Sequence, residues 1–167
     1  GHNRWHPDVS PVVEVDQGEE VVLETRDASD GQTPFGCTIA DVATMDRGAV
    51  HPLTGPVYVK GAAPGDLLEV EYLEILPQPE GFTRFTPGKG YLRDLFDETY
   101  IAHWEIKDGW ATSLQIPGVR IPGGPFMGTA GVAPSLDQVR KWNRREADLV
   151  ARGGEASLPT PDGAVPH

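Results

Sequence analysis

A single cysteine, Cys37, occurs among 167 residues, so no internal disulfide can brace the fold, and a reducing, cytoplasmic setting suits the chain. Basic residues are scarce as well. Lys and Arg number 14 against 25 Asp and Glu, a formal charge of −11, and phosphate backbones and anionic lipid repel such a surplus. Nucleic acid and membrane are thereby excluded as partners. No run approaches the roughly 20 apolar residues of a membrane-spanning helix, and the opening Gly1–Trp5 has no apolar stretch of the kind a secretory leader carries. Nucleotide fingerprints are missing too: glycines 118, 123, 124, 128 and 131 fit neither phosphate-loop pattern. No Gly-x-Ser-x-Gly elbow occurs. Cys37 has no neighbour that would make it a nucleophile or a zinc ligand, and reads as a small buried or loop residue.

Turn formers are abundant. The 20 Gly and 16 Pro are too many for a helical bundle and fit short strands joined by turns. Strands are expected at Pro11–Val15, Glu20–Thr25, Gly55–Gly61 and Ala102–Ile106, where β-branched residues lie between breakers. Asp66–Leu76 adds a fifth, with Leu68, Val70 and Tyr72 on one face and Glu69 and Glu71 on the other. Gln17-Gly18-Glu19 and Pro64-Gly65-Asp66 look alike, a shared turn solution for entering a strand. Residues 77–97 read as a long ordered loop, and residues 116–134, rich in Gly and Pro but poor in charge, as backbone packed closely against core or ligand. A helix is expected over 135–152: Ser135 and Gln138 form a capping box, Leu136, Val139, Trp142 and Leu149 an apolar stripe, and Gly153-Gly154 the stop. A Pro/Gly tail runs from Leu158 to His167. The expected class is one domain over 1–167, mainly β with α (α+β), sandwich-like, with one C-terminal helix.

Few residues bear chemistry. His2 and His6 flank Trp5 four residues apart, a metal-pair spacing only on a helix, which Pro7 and Pro11 disfavour. Glu24 and Asp27 sit where a strand runs into the turn Asp27–Gln32, a place for a metal ligand or general base, although solvated acids at a strand exit are the commoner outcome. Asp46 and His51 lie five apart in a loop-like stretch before Thr54-Gly55-Pro56, where they could rim a site.

Taken together, five segments follow one another in the order of a known family. They are His2-Asn3-Arg4-Trp5-His6-Pro7-Asp8, Glu24-Thr25-Arg26-Asp27, His51-Pro52-Leu53-Thr54-Gly55-Pro56-Val57-Tyr58-Val59, Gly61-Ala62-Ala63-Pro64-Gly65-Asp66 and Pro125-Phe126-Met127-Gly128. Trp142-Asn143-Arg144-Arg145-Glu146 and Gly163-Ala164-Val165-Pro166 continue the series. Over nearly its whole length the chain resembles the acetamidase/formamidase family. The resemblance implies a hydrolase of linear carbon–nitrogen bonds in small amides such as formamide or acetamide, releasing ammonia and a carboxylic acid. It also implies a β-rich, sandwich-like fold, a homo-oligomer, and a divalent metal, zinc first and calcium second. On the matching motifs it implies Glu24 and Asp46 as catalytic residues, Glu24 as the general acid/base. Gln32, Thr54 and Gly55 would touch substrate, and Asp27 and His51 would bind metal. Water activated between metal and carboxylate is the chemistry implied.

Members of the family continue into a second half with Gly-, Asp- and His-rich motifs. The expectation is therefore an N-terminal half whose site is completed by a C-terminal half, on a separate chain or missing. Two readings from other classes stand beside it: a non-catalytic β-domain binding a small molecule or carbohydrate, and a purely structural half that docks the rest of the enzyme and exposes apolar surface when alone. A copper-binding sandwich would need a Cys/His/Met cluster that Cys37, Met45 and His51 do not supply.

Overall fold

A computed structural model describes residues 2–156; the Leu158–His167 tail lies outside them. In chain order the elements are β1 (Val13–Val15), α1 (Ile39–Ala43), β2 (Val57–Val59), β3 (Glu80–Phe85), β4 (Tyr100–Lys107), β5 (Trp110–Thr112), β6 (Arg120–Pro122) and α2 (Leu136–Ala151). The chain is mostly β strands in two sheets, with a C-terminal helix. It divides into two compact units. One gathers the described residues of Gly1–Asp30, Asp46–Glu69 and Ala130–His167, the other Gly31–Met45 and Val70–Thr129.

In the first unit β1 and β2 pair in parallel, Val13 opposite Val57 and Val15 opposite Val59. Valines suit a pleated surface, and Val15 is buried. Val12 N–H donates to the Pro56 carbonyl and Lys60 N–H to that of Val15, both at 2.9 Å, so the ladder runs one step past each end. The N-terminal arm is held by an antiparallel bridge between His2 and Leu53 and by the Asn3 amide on the Gly48 carbonyl. A Cβ on Gly131 would lie 3.1 Å from the Trp5 ring, but the close packing expected of 116–134 is local: most of the stretch is exposed, and a Cβ at Gly118, Gly124 or Gly128 would meet nothing within 4 Å. α2 starts where expected, with half of the expected capping box: the Ser135 hydroxyl accepts from Gln138 N–H at 3.2 Å, and no return bond from the Gln138 side chain forms. It stops at Gly153, where φ is +84°, with Gly153 N–H on the Val150 carbonyl and Gly154 N–H on that of Leu149. Of its apolar stripe, Val139 alone is fully buried.

The second unit is built on an antiparallel meander, β3-β4-β5-β6. β4 is its centre: Ile101, Ala102, His103 and Trp104 are all buried, Ala102 completely. β3 lies opposite it, Phe82 facing His103 and Glu80 facing Glu105. The Trp104 indole N–H donates to the Thr83 hydroxyl at 3.0 Å. β4 returns as β5 through Asp108-Gly109, both at positive φ (51° and 75°). That is the two-residue turn whose twist matches the flanking strands, and Asp-Gly is a preferred sequence for it. Arg120 of β6 stacks over the Trp110 ring of β5, 3.6 Å from its centroid. α1 is short but doubly capped, since the Thr38 hydroxyl accepts from Asp41 N–H while the Asp41 carboxylate accepts from Thr38 N–H at 2.7 Å. The Thr38 N–H and the Thr38 hydroxyl, both donating to it, hold the exposed Asp41 carboxyl below its ordinary range.

Several expectations fail, each for a physical reason. Residues 77–97 are not loop throughout; β3 occupies their first part because Ile101–Glu105 supplies its partner. Glu20–Thr25 and Asp66–Leu76 have strand patterns but form no strand, since no described segment pairs with them. α1, β5 and β6 were not expected. Among the described residues no helix is long and apolar enough to cross a membrane.

Because Trp104 fills the centre of β4 and ties its indole to β3, Trp104→Ala is expected to cost about 3 kcal/mol. Denaturant unfolding measures this, and a loss under about 1 kcal/mol would show that the meander core lies elsewhere.

Candidate functional site

Six of the seven residues singled out from the sequence fall in the first unit: Glu24, Asp27, Asp46, His51, Thr54 and Gly55. Gln32 falls in the second. The Thr54 hydroxyl donates to the Glu24 carbonyl at 3.2 Å, joining two of them across 30 residues of chain. It fastens the His51–Pro56 loop to the end of the Glu20–Thr25 segment. Gly55 is buried at φ +117°, a conformation that favours glycine, and the Gly55–Pro56 peptide is cis. Gly55 N–H donates to no described residue. The Glu24 carboxylate is exposed and accepts no hydrogen bond from a described residue.

The aspartates differ from Glu24. Asp27 Oδ1 accepts from Ser29 N–H at 2.8 Å and from the Ser29 hydroxyl, and its carbonyl accepts from Asp30 N–H at 2.9 Å. Asp46 does the same for its own turn, with Oδ1 accepting from Gly48 N–H at 2.8 Å. Both carboxylates shape local turns in the way aspartate side chains commonly do. His51 is exposed. Among the described residues no three His, Cys, Asp or Glu side chains gather where they could hold a metal ion. Asp27 and His51 therefore do not make a metal site on their own.

His6 carries a signal that spacing could not show. Its ring is buried, and Asp8 N–H donates to Nδ1 at 3.1 Å. A nitrogen that accepts carries no proton, so the ring hydrogen sits on Nε2. That Nε2 is buried and meets no acceptor among the described residues. In this tautomer His6 is a donor at Nε2, not a metal ligand there.

In the second unit an open hollow of ≈ 530 Å³ is lined by Gln32, Phe35, Cys37, Asp41, Thr44 and Met45 among others. His103, buried beside it, stands 4.0 Å from the Cys37 sulfur. The pair is not a thiol–imidazole dyad. Gly36 N–H donates to His103 Nδ1 at 3.4 Å, which leaves the ring proton on Nε2, and Nε2 lies 2.9 Å from the Cys37 carbonyl. The imidazole thus has no free lone pair for the thiol proton. Burial pushes the Cys37 thiol up and Asp41 adds to this, against an opposing pull from Arg84. His103 ties down the Pro34–Cys37 turn, and Phe35 meets its ring edge-on at 5.3 Å.

The model of the acetamidase/formamidase family matches residues 1–167. The chain belongs to the acetamidase/formamidase family. It is 38% identical over 164 residues to the acetamidase of Mycolicibacterium smegmatis, covering 90% of this chain and 40% of that protein. With the formamidase of Methylophilus methylotrophus it shares 36% identity over 156 residues, covering 90% of this chain and 38% of that protein. Among solved structures, the gamma lactamase from Delftia acidovorans superposes with a TM-score of 0.86 at 37% identity, over 95% of this chain and 42% of that one. An acetamidase from Bacillus halodurans superposes at 0.63 and 28% identity, over 71% of this chain and 39% of that one. The chain thus spans about two-fifths of the length of these family members.

Two outcomes follow from the hydrogen bonds at His6 and Cys37. Nitrogen-resolved NMR is expected to show the His6 ring proton on Nε2; a proton on Nδ1 would remove it as an Nε2 donor. Only the thiolate is alkylated, and with the thiol pushed up less thiolate exists at any given pH. Alkylation of Cys37 by iodoacetamide should therefore keep accelerating above the pH at which free cysteine has levelled off. A rate that levels off below that pH would indicate an activated thiol.

Proposed function

We propose that this chain forms part of an amidase that hydrolyses the carbon–nitrogen bond of small linear amides, with its share of the site at the Glu24–Thr54 junction. The bond from the Thr54 hydroxyl to the Glu24 carbonyl carries the reading, because it ties the end of the segment that bears the exposed Glu24 carboxylate to the loop that holds Gly55, whose N–H donates to no described residue. In this reading Glu24 takes a proton from water as the water oxygen adds to the amide carbon. The Gly55 N–H donates to the developing oxyanion, while the Thr54 hydroxyl oxygen, its proton given to the Glu24 carbonyl, accepts from the amide N–H of the substrate. Collapse breaks the C–N bond, Glu24 returns the proton to nitrogen, and ammonia and a carboxylic acid leave.

The carboxylates of Asp27 and Asp46 serve the turns that hold this region rather than the reaction. Asp27 and His51 are the donors this chain would offer to a zinc or calcium ion. Two donors do not make a site, so further ligands would have to come from polypeptide outside the chain. The likeness to a gamma lactamase supports a second reading of the same chemistry, in which the amide is cyclic and its hydrolysis opens a ring without releasing ammonia.

The test is hydrolysis of formamide, acetamide and a γ-lactam by the preparation in which the chain occurs, with and without a chelator. Ammonia from the linear amides is expected. Glu24→Gln should lower kcat/KM by about 100-fold or more, the usual scale for a general base, and Thr54→Val by roughly tenfold, one positioning hydrogen bond. Full activity in Glu24→Gln would remove Glu24 from the chemistry. Ring opening without ammonia release would move the reading to lactams.

A further inference from the structure

Two segments carry the pattern of strands and have no strand partner. Glu20–Thr25 alternates Val21 and Leu23 with Val22 and Glu24, and Asp66–Leu76 alternates Leu68, Val70 and Tyr72 with Glu69 and Glu71. Such alternation has a purpose only where one face is covered. Here neither face is. Val22 is 93% exposed and Leu67 97%, and Val70, Tyr72 and Leu73 are at least half exposed. β4 of the same chain buries four consecutive residues.

The main chain tells the same story. Between Glu20 and Thr25 the only hydrogen bond to a described residue is the one that the Glu24 carbonyl accepts from Thr54, and between Leu67 and Gln78 there is none. Backbone N–H and C=O groups flanked by large apolar side chains form an open edge, which another strand can pair with. Glu69, Glu71 and Glu74 on the second segment, and Glu19, Glu20 and Glu24 around the first, favour a neighbour bearing Lys or Arg.

We infer that each segment is a strand that takes its partner from the part of the family polypeptide that this chain does not span, by backbone pairing with basic residues opposite the glutamates. The relatives supply the occupant: they are about two and a half times the length that this chain matches. A second copy of this acidic chain, with 25 Asp and Glu against 14 Lys and Arg, would set glutamate against glutamate. The inference rests on the reading that the chain works with that remaining polypeptide. It does not rest on amide hydrolysis.

Amide hydrogen exchange tests it, on the chain alone and on the chain coexpressed with the portion of the Mycolicibacterium smegmatis acetamidase beyond its match. Alone, the amides of residues 21–24 and 68–75 should exchange like open chain while those of β4 are protected. With the partner, exchange at both segments should slow about 100-fold or more, the mark of stably paired backbone, whether or not ammonia is released. Glu69→Lys with Glu71→Lys should weaken the association. Protection of these segments in the monomeric chain alone overturns the inference, and so does protection that appears only with self-association. Association without protection also overturns it, as does failure of the two polypeptides to associate. Ammonia release that fails while protection appears would count against the amidase reading alone.

Discussion

Backbone pairing is the constraint on which this structure depends. A strand holds its place only while its N–H and C=O groups have a neighbour. Where the chain provides one, order follows at once: β4 lies between β3 and β5, and its Ile101–Trp104 run is buried. Where the described residues provide none, strongly β-prone sequence such as Glu20–Thr25 forms no strand and stays exposed. Composition does not separate the two cases. The availability of a partner does.

The same accounting sorts the candidate carboxylates. Asp27 and Asp46 each turn an oxygen to a backbone N–H two residues on, so both carboxylates take part in holding turns. Glu24, one methylene longer and at the end of an extended segment, keeps its carboxylate open while its carbonyl anchors Thr54. Cys37 and His103 show how closeness can mislead. They lie 4.0 Å apart, yet the ring proton points at a carbonyl and burial pushes the thiol up.

Much of the fold could be read from the residues. β1, β2 and β4 follow from their β-branched and apolar runs, and α2 from Ser135, its stripe and Gly153-Gly154. Two further signals were present and unread: Asp108-Gly109, which makes the β4–β5 turn, and Thr38-x-x-Asp41, which caps α1. β3 was less legible because Glu80-Gly81-Phe82-Thr83-Arg84-Phe85 has no strong alternation and becomes a strand through its pairing with β4. Of the site, the Glu24–Thr54 contact links residues too far apart in sequence for spacing to reveal. Gln32 reads as part of the turn that begins at Asp27 yet belongs to the other compact unit. The state of His6 depends on one amide, Asp8 N–H, which no residue pattern specifies.

The parallel pairing of β1 with β2 has a consequence for the order in which the chain assembles. Neighbouring strands of the meander follow one another along the sequence, and β4 and β5 are separated by only two residues. The parallel pair must bring together positions such as Asp16 and Lys60, 44 residues apart, before any of its contacts is gained. Contacts between distant positions form late, because the entropy of closing the intervening chain is lost first. The Glu24–Thr54 junction lies inside that closure. The candidate site therefore belongs to the slow, high-contact-order part of the molecule, built after a meander that has no need of it.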